Sequence, residues 1–242
     1  GTACQPIIFA SGQPVGQRAR GDWGGLILLG KAALNTATGT ANIEGITPIP
    51  DTQYGGGANP DNNDNSGILQ YVRIEFAGIA LSPNNEINGL TFGAVGAGTT
   101  VDHIQVSYSN DDSYEWFGGT VNCKYLIAYD GIDDDFDSDN GFSGYVQFGL
   151  GMRDPNVADV SGSKSFESDN DVNGDANLPQ TSAYFANFTA LGGSVNNVAN
   201  PLFKQSIHTR RNSNIRILNS IMMGFPQGIL VDATTGVSTI CN

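Results

Sequence analysis

Short runs in which apolar side chains alternate with polar or small ones recur along the whole chain. Alternate residues of a β-strand point to opposite faces, so each run predicts a strand with one buried face. Equivalent runs are spaced by about 20 to 30 residues, which is the length of one coil in a solenoid. The predicted strands are residues 69–76, 87–92, 101–108, 125–129, 145–148, 183–189 and 215–219.

A three-residue pattern recurs in the second half of the chain: a polar residue, an aromatic residue and then a carboxylate. The aromatic residues are Tyr114, Phe136 and Phe166, and the carboxylates that follow them are Glu115, Asp137 and Glu167. If these segments are the same strand of successive coils, the aromatic rings stack inside the core. The carboxylates then line up outside, at the sheet spacing of about 4.8 Å.

Two all-β folds explain many short strands joined by turns, a β-sandwich and a solenoid. The chain of 242 residues contains 32 glycines and ten prolines, which fit the tight turns of either fold. A sandwich gives no reason to repeat one side-chain pattern in successive strands. The sequence therefore predicts a right-handed parallel β-helix, as one domain over residues 1–242 with a loop excursion near residues 35–66.

Charge and hydropathy narrow the choice of partners. The chain has 24 acidic and 11 basic residues, which gives a net charge of −13 and argues against a nucleic-acid partner. No run of about 18 apolar residues occurs, so no transmembrane segment is predicted.

The wide spacing of Cys4, Cys123 and Cys241 resembles no zinc motif, and Cys123 is expected to be a buried thiol. The first residues resemble a strand from within a fold and the sequence ends abruptly at Asn242, so we expect a chain that is incomplete at one or both ends.

Four segments of the sequence carry a family resemblance that extends over nearly the whole chain. They are residues 21–32 (GDWGGLILLGKA), 71–78 (YVRIEFAG), 111–120 (DDSYEWFGGT) and 166–170 (FESDN). Their combination resembles a family of secreted right-handed β-helix proteins of Bacteroidota-type bacteria. The resemblance implies an exported or surface-anchored β-helix, located outside the cell or on the outer-membrane surface. It implies no agreed activity, because that family is poorly characterised.

Acidic residues are concentrated between residues 111 and 171, and they form the strongest candidate site. Calcium takes six to eight oxygen ligands, so carboxylates from adjacent coils suit it. The predicted metal ligands are Asp112, Glu115, Asp134, Asp137, Glu167 and Asp169. The alternative is a solvated acidic face on which Asp and Asn side chains cap turns.

An enzyme that acts on polysaccharides is the second hypothesis, because parallel β-helices host lyases and hydrolases. Hydrolysis needs two carboxylates at a defined separation, and a lyase needs a basic residue near a calcium-bound uronate. The carboxylate pairs would be Asp134 with Asp137 or Asp112 with Glu115. The candidate bases are Lys124, Arg153 and Lys164.

The favoured hypothesis is a non-enzymatic binding or structural module, because the chain offers a scaffold and loops without a complete catalytic set. Its partner would be a glycan or another surface protein, and calcium is the candidate cofactor. Trp116 and Tyr54 would indicate glycan stacking if they point outward and core packing if they point inward. The basic cluster at residues 208–212 is expected to form salt bridges with the carboxylates or to face solvent.

Overall fold

Two parallel sheets form the body of the protein in the computed structural model, which describes residues 1–82, 85–193 and 199–239. Within those residues, the first sheet has eight strands. They are β1 (Ile7–Phe9), β5 (Ile68–Glu75), β9 (Thr100–Ser107), β11 (Asn122–Tyr129), β13 (Tyr145–Met152), β15 (Tyr184–Leu191), β17 (Arg216–Leu218) and β18 (Ile221–Met223). Cys241, near the end of the sequence, lies outside the described residues.

The second sheet has seven strands in the same part of the chain. They are β2 (Leu26–Leu29), β8 (Leu90–Gly93), β10 (Tyr114–Phe117), β12 (Phe136–Asp139), β14 (Phe166–Ser168), β16 (Gln205–Thr209) and β19 (Gln227–Val231). Every strand pair in the two sheets is parallel, and successive coils add one strand to each sheet. The prediction of a right-handed parallel β-helix is confirmed.

The core lies between the two sheets and consists largely of stacked aromatic rings. Tyr114, Phe136 and Phe166 occupy matching positions of β10, β12 and β14 and are fully buried, as the repeated pattern predicts. Their ring centroids lie 5.5 and 5.1 Å apart. Trp116 is buried in this core and Tyr54 in a second apolar cluster with Leu34 and Phe117, so neither ring is an exposed platform for sugars. Cys123 is buried and free, as expected.

Coil length varies more than the sequence pattern indicates. The register-matched residues Tyr114, Phe136, Phe166 and Ile207 are separated by 22, 30 and 41 residues. The extra residues form loops that leave the solenoid between strands. Two antiparallel pairs occur in such loops, β3 (Ala41–Asn42) with β4 (Gln53–Tyr54) and β6 (Ala80–Ser82) with β7 (Asn85–Glu86). A 3-10 turn at Pro50–Thr52 lies in the predicted excursion near residues 35–66.

A second row of rings lies on the outer face of the eight-stranded sheet. Tyr71, His103, Tyr125 and Phe148 share a left-handed backbone conformation, with φ between 52° and 62°. That conformation costs roughly 1–2 kcal/mol for a residue with a side chain, and stacking at 4.4–5.0 Å between neighbouring rings offsets part of it. The faces of the middle rings cover one another, which stabilises the coil, and the four side chains also line an open cavity of about 610 Å³.

Candidate metal centre

A row of four titratable side chains runs across the seven-stranded sheet on the face away from the aromatic core. Glu115 pairs in register with Asp137, Asp137 with Glu167, and Glu167 with His208. Each follows an inward-pointing residue of its strand, so alternation turns all of them outward. We call Glu115, Asp137 and Glu167 the acid row, and its predicted alignment is confirmed.

A second line of polar side chains lies where each coil turns into the seven-stranded sheet. The carboxylate of Asp112 accepts the backbone N–H of Asp134 at 2.8 Å, and the carboxylate of Asp134 accepts that of Lys164 at 2.5 Å. Each aspartate therefore holds the start of the next coil in place. Asp112 and Asp134 are buried, and one oxygen of each lies within 4.8 Å of carboxylate oxygens of the acid row.

Loops close over these two lines and make a pocket of about 230 Å³, which we call the acidic pocket. Ten carboxylates from the described residues line it. They are Glu44, Glu86, Asp111, Asp112, Glu115, Asp133, Asp134, Asp137, Asp159 and Glu167. Glu44, Glu86 and Asp159 come from loops outside the repeated pattern, so no spacing in the sequence predicts their place in the pocket.

The acid row is covered rather than solvated, which corrects the alternative of an open acidic face. Glu167, Asp112 and Asp134 are buried, and Glu115 and Asp137 are only partly exposed. A charge held in such a place is unfavourable unless an opposite charge, a hydrogen bond or a proton neutralises it. The two ends of the row meet this requirement in different ways.

Protein cations neutralise the Glu167 end. Lys164 and Arg210 form ion pairs with Glu167, and the His208 Nδ1 atom lies 3.4 Å from its Oε2 atom. Burial alone would raise the pKa of the Glu167 carboxyl. The nearby His208 ring and the charges of Lys164 and Arg210 lower it to about 2. The prediction that the basic cluster pairs with the carboxylates is confirmed.

At the Glu115 end of the acid row, neighbouring carboxylates repel one another. Burial raises the pKa of Glu115 well above its ordinary value, and the charges of Asp137 and Asp111 raise it further. Burial and the charge of Glu167 do the same to the pKa of Asp137. The pKa of Asp111 rises to about 7, chiefly through burial. Neutral carboxyls or a bound cation would both relieve this repulsion.

Three overlapping triads of these carboxylates have the spacing of a metal site within the described part of the chain. In each triad, one oxygen from every residue lies within 4.8 Å of the others. The triads are Asp111, Asp112 and Asp133; Asp112, Glu115 and Asp137; and Asp134, Asp137 and Glu167. Five of the six predicted ligands therefore come together.

Asp169 is the exception among the predicted ligands. Its two oxygens accept hydrogen bonds from Arg210 and Arg211, each at 2.8 Å. These arginines occupy the carboxylate with protein cations, and Asp169 belongs to none of the three triads. The prediction of Asp169 as a metal ligand is therefore not supported by its geometry.

One amide side chain also lines the acidic pocket. Asn88 is 5% exposed and lines the pocket. Its Nδ2 atom donates to Glu115 and to the Thr91 hydroxyl, which fixes the orientation of the amide. The Oδ1 atom is buried and accepts no hydrogen bond. A buried carbonyl oxygen without a donor is rare and costly, and a cation would satisfy it.

The stacked coils, the parallel sheets and the covered carboxylates on an outer face define a right-handed parallel β-helix protein. All 242 residues match the family described as a pectate-lyase like beta helix domain, and the chain belongs to that family. No curated protein and no solved structure matches it. In the part of the chain that the structure describes, no helix has the length and hydropathy needed to cross a membrane. The bacterial group and secretion implied by the resemblance stay predictions.

Proposed function

We propose that this chain is a non-enzymatic binding module that holds divalent cations, with calcium as the preferred ion, on an extracellular or cell-surface protein. The observation that carries the proposal is the unpartnered Asn88 Oδ1 atom beside the triad of Asp112, Glu115 and Asp137. Carboxylate and amide oxygens together are the ligand set that calcium takes in proteins.

Calcium suits the pocket better than magnesium for a geometric reason. Magnesium demands a near-octahedral shell at about 2.0–2.1 Å, whereas calcium accepts six to eight oxygens at about 2.3–2.6 Å in irregular arrangements. The pocket offers overlapping triads that share Asp112 and Asp137, and a flexible coordination number allows an ion to use oxygens from two of them. We therefore expect a measurable preference for calcium.

The proposed role of the scaffold is to present this site rigidly to a glycan or to another surface protein. Each coil is hydrogen-bonded to its neighbours on both sides, so the side chains of the acid row keep their spacing without a ligand. A bound cation would change the charge of the pocket from strongly negative toward neutral. Binding of a partner at this face would then depend on calcium.

Thermal unfolding tests the cation proposal. The protein is freed of metal with a chelating resin and then unfolded with calcium, with magnesium or with sodium chloride at equal ionic strength. A ligand at 100 times its dissociation constant stabilises a fold by about 2.7 kcal/mol, which corresponds to roughly 5–10 °C in Tm for a chain of this size. If sodium chloride at the same ionic strength raises Tm as much as calcium does, the proposal is refuted.

One observation favours a second candidate function, a polysaccharide lyase or glycoside hydrolase. The pKa of Asp111, raised to about 7, suits a group that transfers protons near neutral pH. The predicted lyase bases do not add support. Lys164 forms ion pairs with Asp134 and Glu167, and Arg153 donates to Asp135. Lys124 is exposed on β11, in the other sheet. Turnover of pectate or neutral polysaccharides that Asp111→Asn abolishes would establish this alternative.

A further inference from the structure

The outer face of the eight-stranded sheet changes from polar to apolar along the solenoid. Two rows of side chains cross this sheet beside the stacked rings, and they alternate with buried residues of each long strand, so they point outward. On β5 and β9 the rows contain Arg73, Glu75, Gln105 and Ser107. On β11, β13, β15 and β18 they contain Ile127, Tyr129, Leu150, Met152, Thr189, Leu191, Ile221 and Met223.

The apolar members of these rows form one surface patch with the neighbouring rings of Tyr125 and Phe148. Six of the side chains are between 37% and 61% exposed, namely Tyr125, Tyr129, Phe148, Met152, Ile221 and Met223. At about 200 Å² for a large side chain, these six expose roughly 550 Å². Monomeric proteins rarely expose a contiguous apolar patch larger than a few hundred Å², and larger ones mark contact sites. We call the six residues, together with Ile127, Leu150 and Leu191, the apolar face.

Charge favours a second copy of this chain as the occupant of the apolar face. The chain has a net charge of −13, so two copies repel one another over most of their surface. None of the nine residues of the apolar face is charged, so this face packs against its own copy without bringing like charges together. An interface with an apolar centre that is depleted in charged residues is typical of homodimers.

The relief of the surface suits the same occupant, because a two-fold interface needs its projecting and receiving parts on one surface. The rings of Tyr125 and Phe148 stack at 5.0 Å and stay more than two fifths exposed, so they form a ridge. The open cavity of about 610 Å³ lies beside this ridge and is lined by the same two rings and by Ile127 and Leu150. A two-fold rotation can therefore bring the ridge of one copy opposite the cavity of the other.

We propose that two copies of this chain associate through the apolar face into a two-fold symmetric dimer. The exposed side chains supply most of the roughly 800 Å² per subunit that a standard interface buries, and Lys124, exposed next to Tyr125, belongs to its polar rim. The acidic pocket lies over the seven-stranded sheet, on the other side of the core. The dimer therefore presents two acidic pockets that face away from each other, and its formation does not depend on a cation.

Sedimentation velocity of the whole chain tests the proposal, at concentrations from about 1 to 200 μM that bracket micromolar dissociation constants. We expect the mass to rise with concentration from that of one chain toward that of two, in calcium and after chelation alike. Met152→Lys places a charge within the apolar face, and we expect it to weaken association at least tenfold. Val172→Lys, in the exposed loop after β14, is the matched control and leaves association unchanged.

A second variant guards against a folding defect in the first. Phe148→Asn removes a ring from the ridge, and asparagine suits the left-handed backbone because Asn187 follows in the same row with the same φ of 62°. We expect the same loss of association, with Tm at about 1 μM checking that both variants fold. Protein that stays monomeric at every concentration overturns the proposal and leaves the apolar face to a different occupant. A dimer that neither variant weakens, or that Val172→Lys weakens equally, also overturns it.

Discussion

Glu167 and Glu115 occupy equivalent positions two coils apart in one sheet, yet their charges are handled in opposite ways. Lys164, His208 and Arg210 surround the Glu167 carboxylate and lower its pKa to about 2. Glu115 has Asp137 beside it and Thr91 on its other flank in the register, and its pKa is raised. The same backbone position therefore produces a stable ion pair at one end and an unneutralised carboxyl at the other.

The source of the neutralising groups explains the difference. Lys164 precedes Glu167 by three residues on the same coil, and His208 and Arg210 come from the next coil. The coils that carry Glu115 and Asp137 supply aspartates at the position equivalent to Lys164, namely Asp112 and Asp134. Where an aspartate stands at the position of Lys164, a proton or a bound cation would neutralise the neighbouring carboxylates.

Two pH windows should separate Glu167, whose pKa is lowered, from the buried carboxyls whose pKa is raised, and this is the largest effect that we expect. Asp111 and Asp139 have pKa values raised from 3.8 to about 7, so the folded state holds their protons more tightly than the unfolded state. Their contribution to stability is complete below about pH 3.8 and is lost as the pH rises to about 7. Each could account for roughly 4 kcal/mol at most.

Glu167 should act in the opposite direction. Its pKa falls from 4.5 to about 2, so its contribution is complete above pH 4.5 and is lost as the pH falls toward 2. Urea unfolding of metal-free protein from pH 2 to 8 should therefore show a maximum near pH 4. Calcium should flatten the decline above it. Stability that rises steadily from pH 4 to 8 without calcium would contradict the assignment.

Removing the charge of Lys164 should leave the Glu167 end of the acid row with unneutralised carboxylates, as at the Glu115 end. Lys164→Met leaves Asp134 and Glu167 with one partner fewer in a buried place, and breaking such a pair costs about 3 kcal/mol or more. Urea unfolding at pH 7 measures the loss. Lys124→Met, at an exposed position of β11, is the matched control.

Calcium should stabilise Lys164→Met more than the wild type, because the substitution adds an unneutralised carboxylate to the triad of Asp134, Asp137 and Glu167. The response of Lys164→Met to calcium distinguishes the loss of the lysine charge from the loss of its packing. If Lys164→Met costs no more than Lys124→Met, the proposed neutralisation is wrong.

Removing one charge from the unneutralised end should have the reverse effect. Glu115→Gln relieves repulsion with Asp137 and keeps an oxygen for the Asn88 amide, so metal-free protein should gain about 1 kcal/mol at pH 7. The same variant should lose most of the rise in Tm that calcium gives. Asp102→Asn makes the same change in charge on the other sheet. It should neither stabilise the metal-free protein nor reduce the rise in Tm with calcium.

The fold was readable from the sequence because one side-chain pattern recurs at matching positions. Tyr114, Phe136 and Phe166 are adjacent in space for the reason that makes them similar in sequence, since each fills the same core position of its coil. The same repetition predicted the alignment of the acid row. Coil length was less predictable, because loops such as the one after β14 are inserted without changing the strand pattern.

The candidate site was only partly readable. Alternation indicates that Glu115 points away from the core, but it does not indicate that loops cover it. Glu44 and Asp159 approach the pocket through loops of irregular length, and no periodicity fixes where such loops fold. The pairing of Asp169 with Arg210 and Arg211 depends on side-chain geometry between coils, which sequence spacing does not indicate.

The smallest effect should come from the outer edge of the neutralised end, where Asp232 lies 3.3 Å from the Nε2 atom of His208. Its side chain is 22% exposed, and ion pairs reached by solvent contribute up to about 1 kcal/mol. Asp232→Asn keeps an acceptor for the Thr234 N–H group, so we expect a loss of about 0.5 kcal/mol in urea unfolding that high salt reduces.

The pKa of Glu167 should stay low in Asp232→Asn, because Lys164 and Arg210 remain in place. Carboxyl chemical shifts followed by NMR during an acid titration measure it. A rise toward 4.5 would show that Asp232 controls Glu167 through His208. The neutralised end would then be a chain of coupled groups that extends to the surface, and the contrast with Glu115 would depend on the loop after β19 as well as on the core of the sheet.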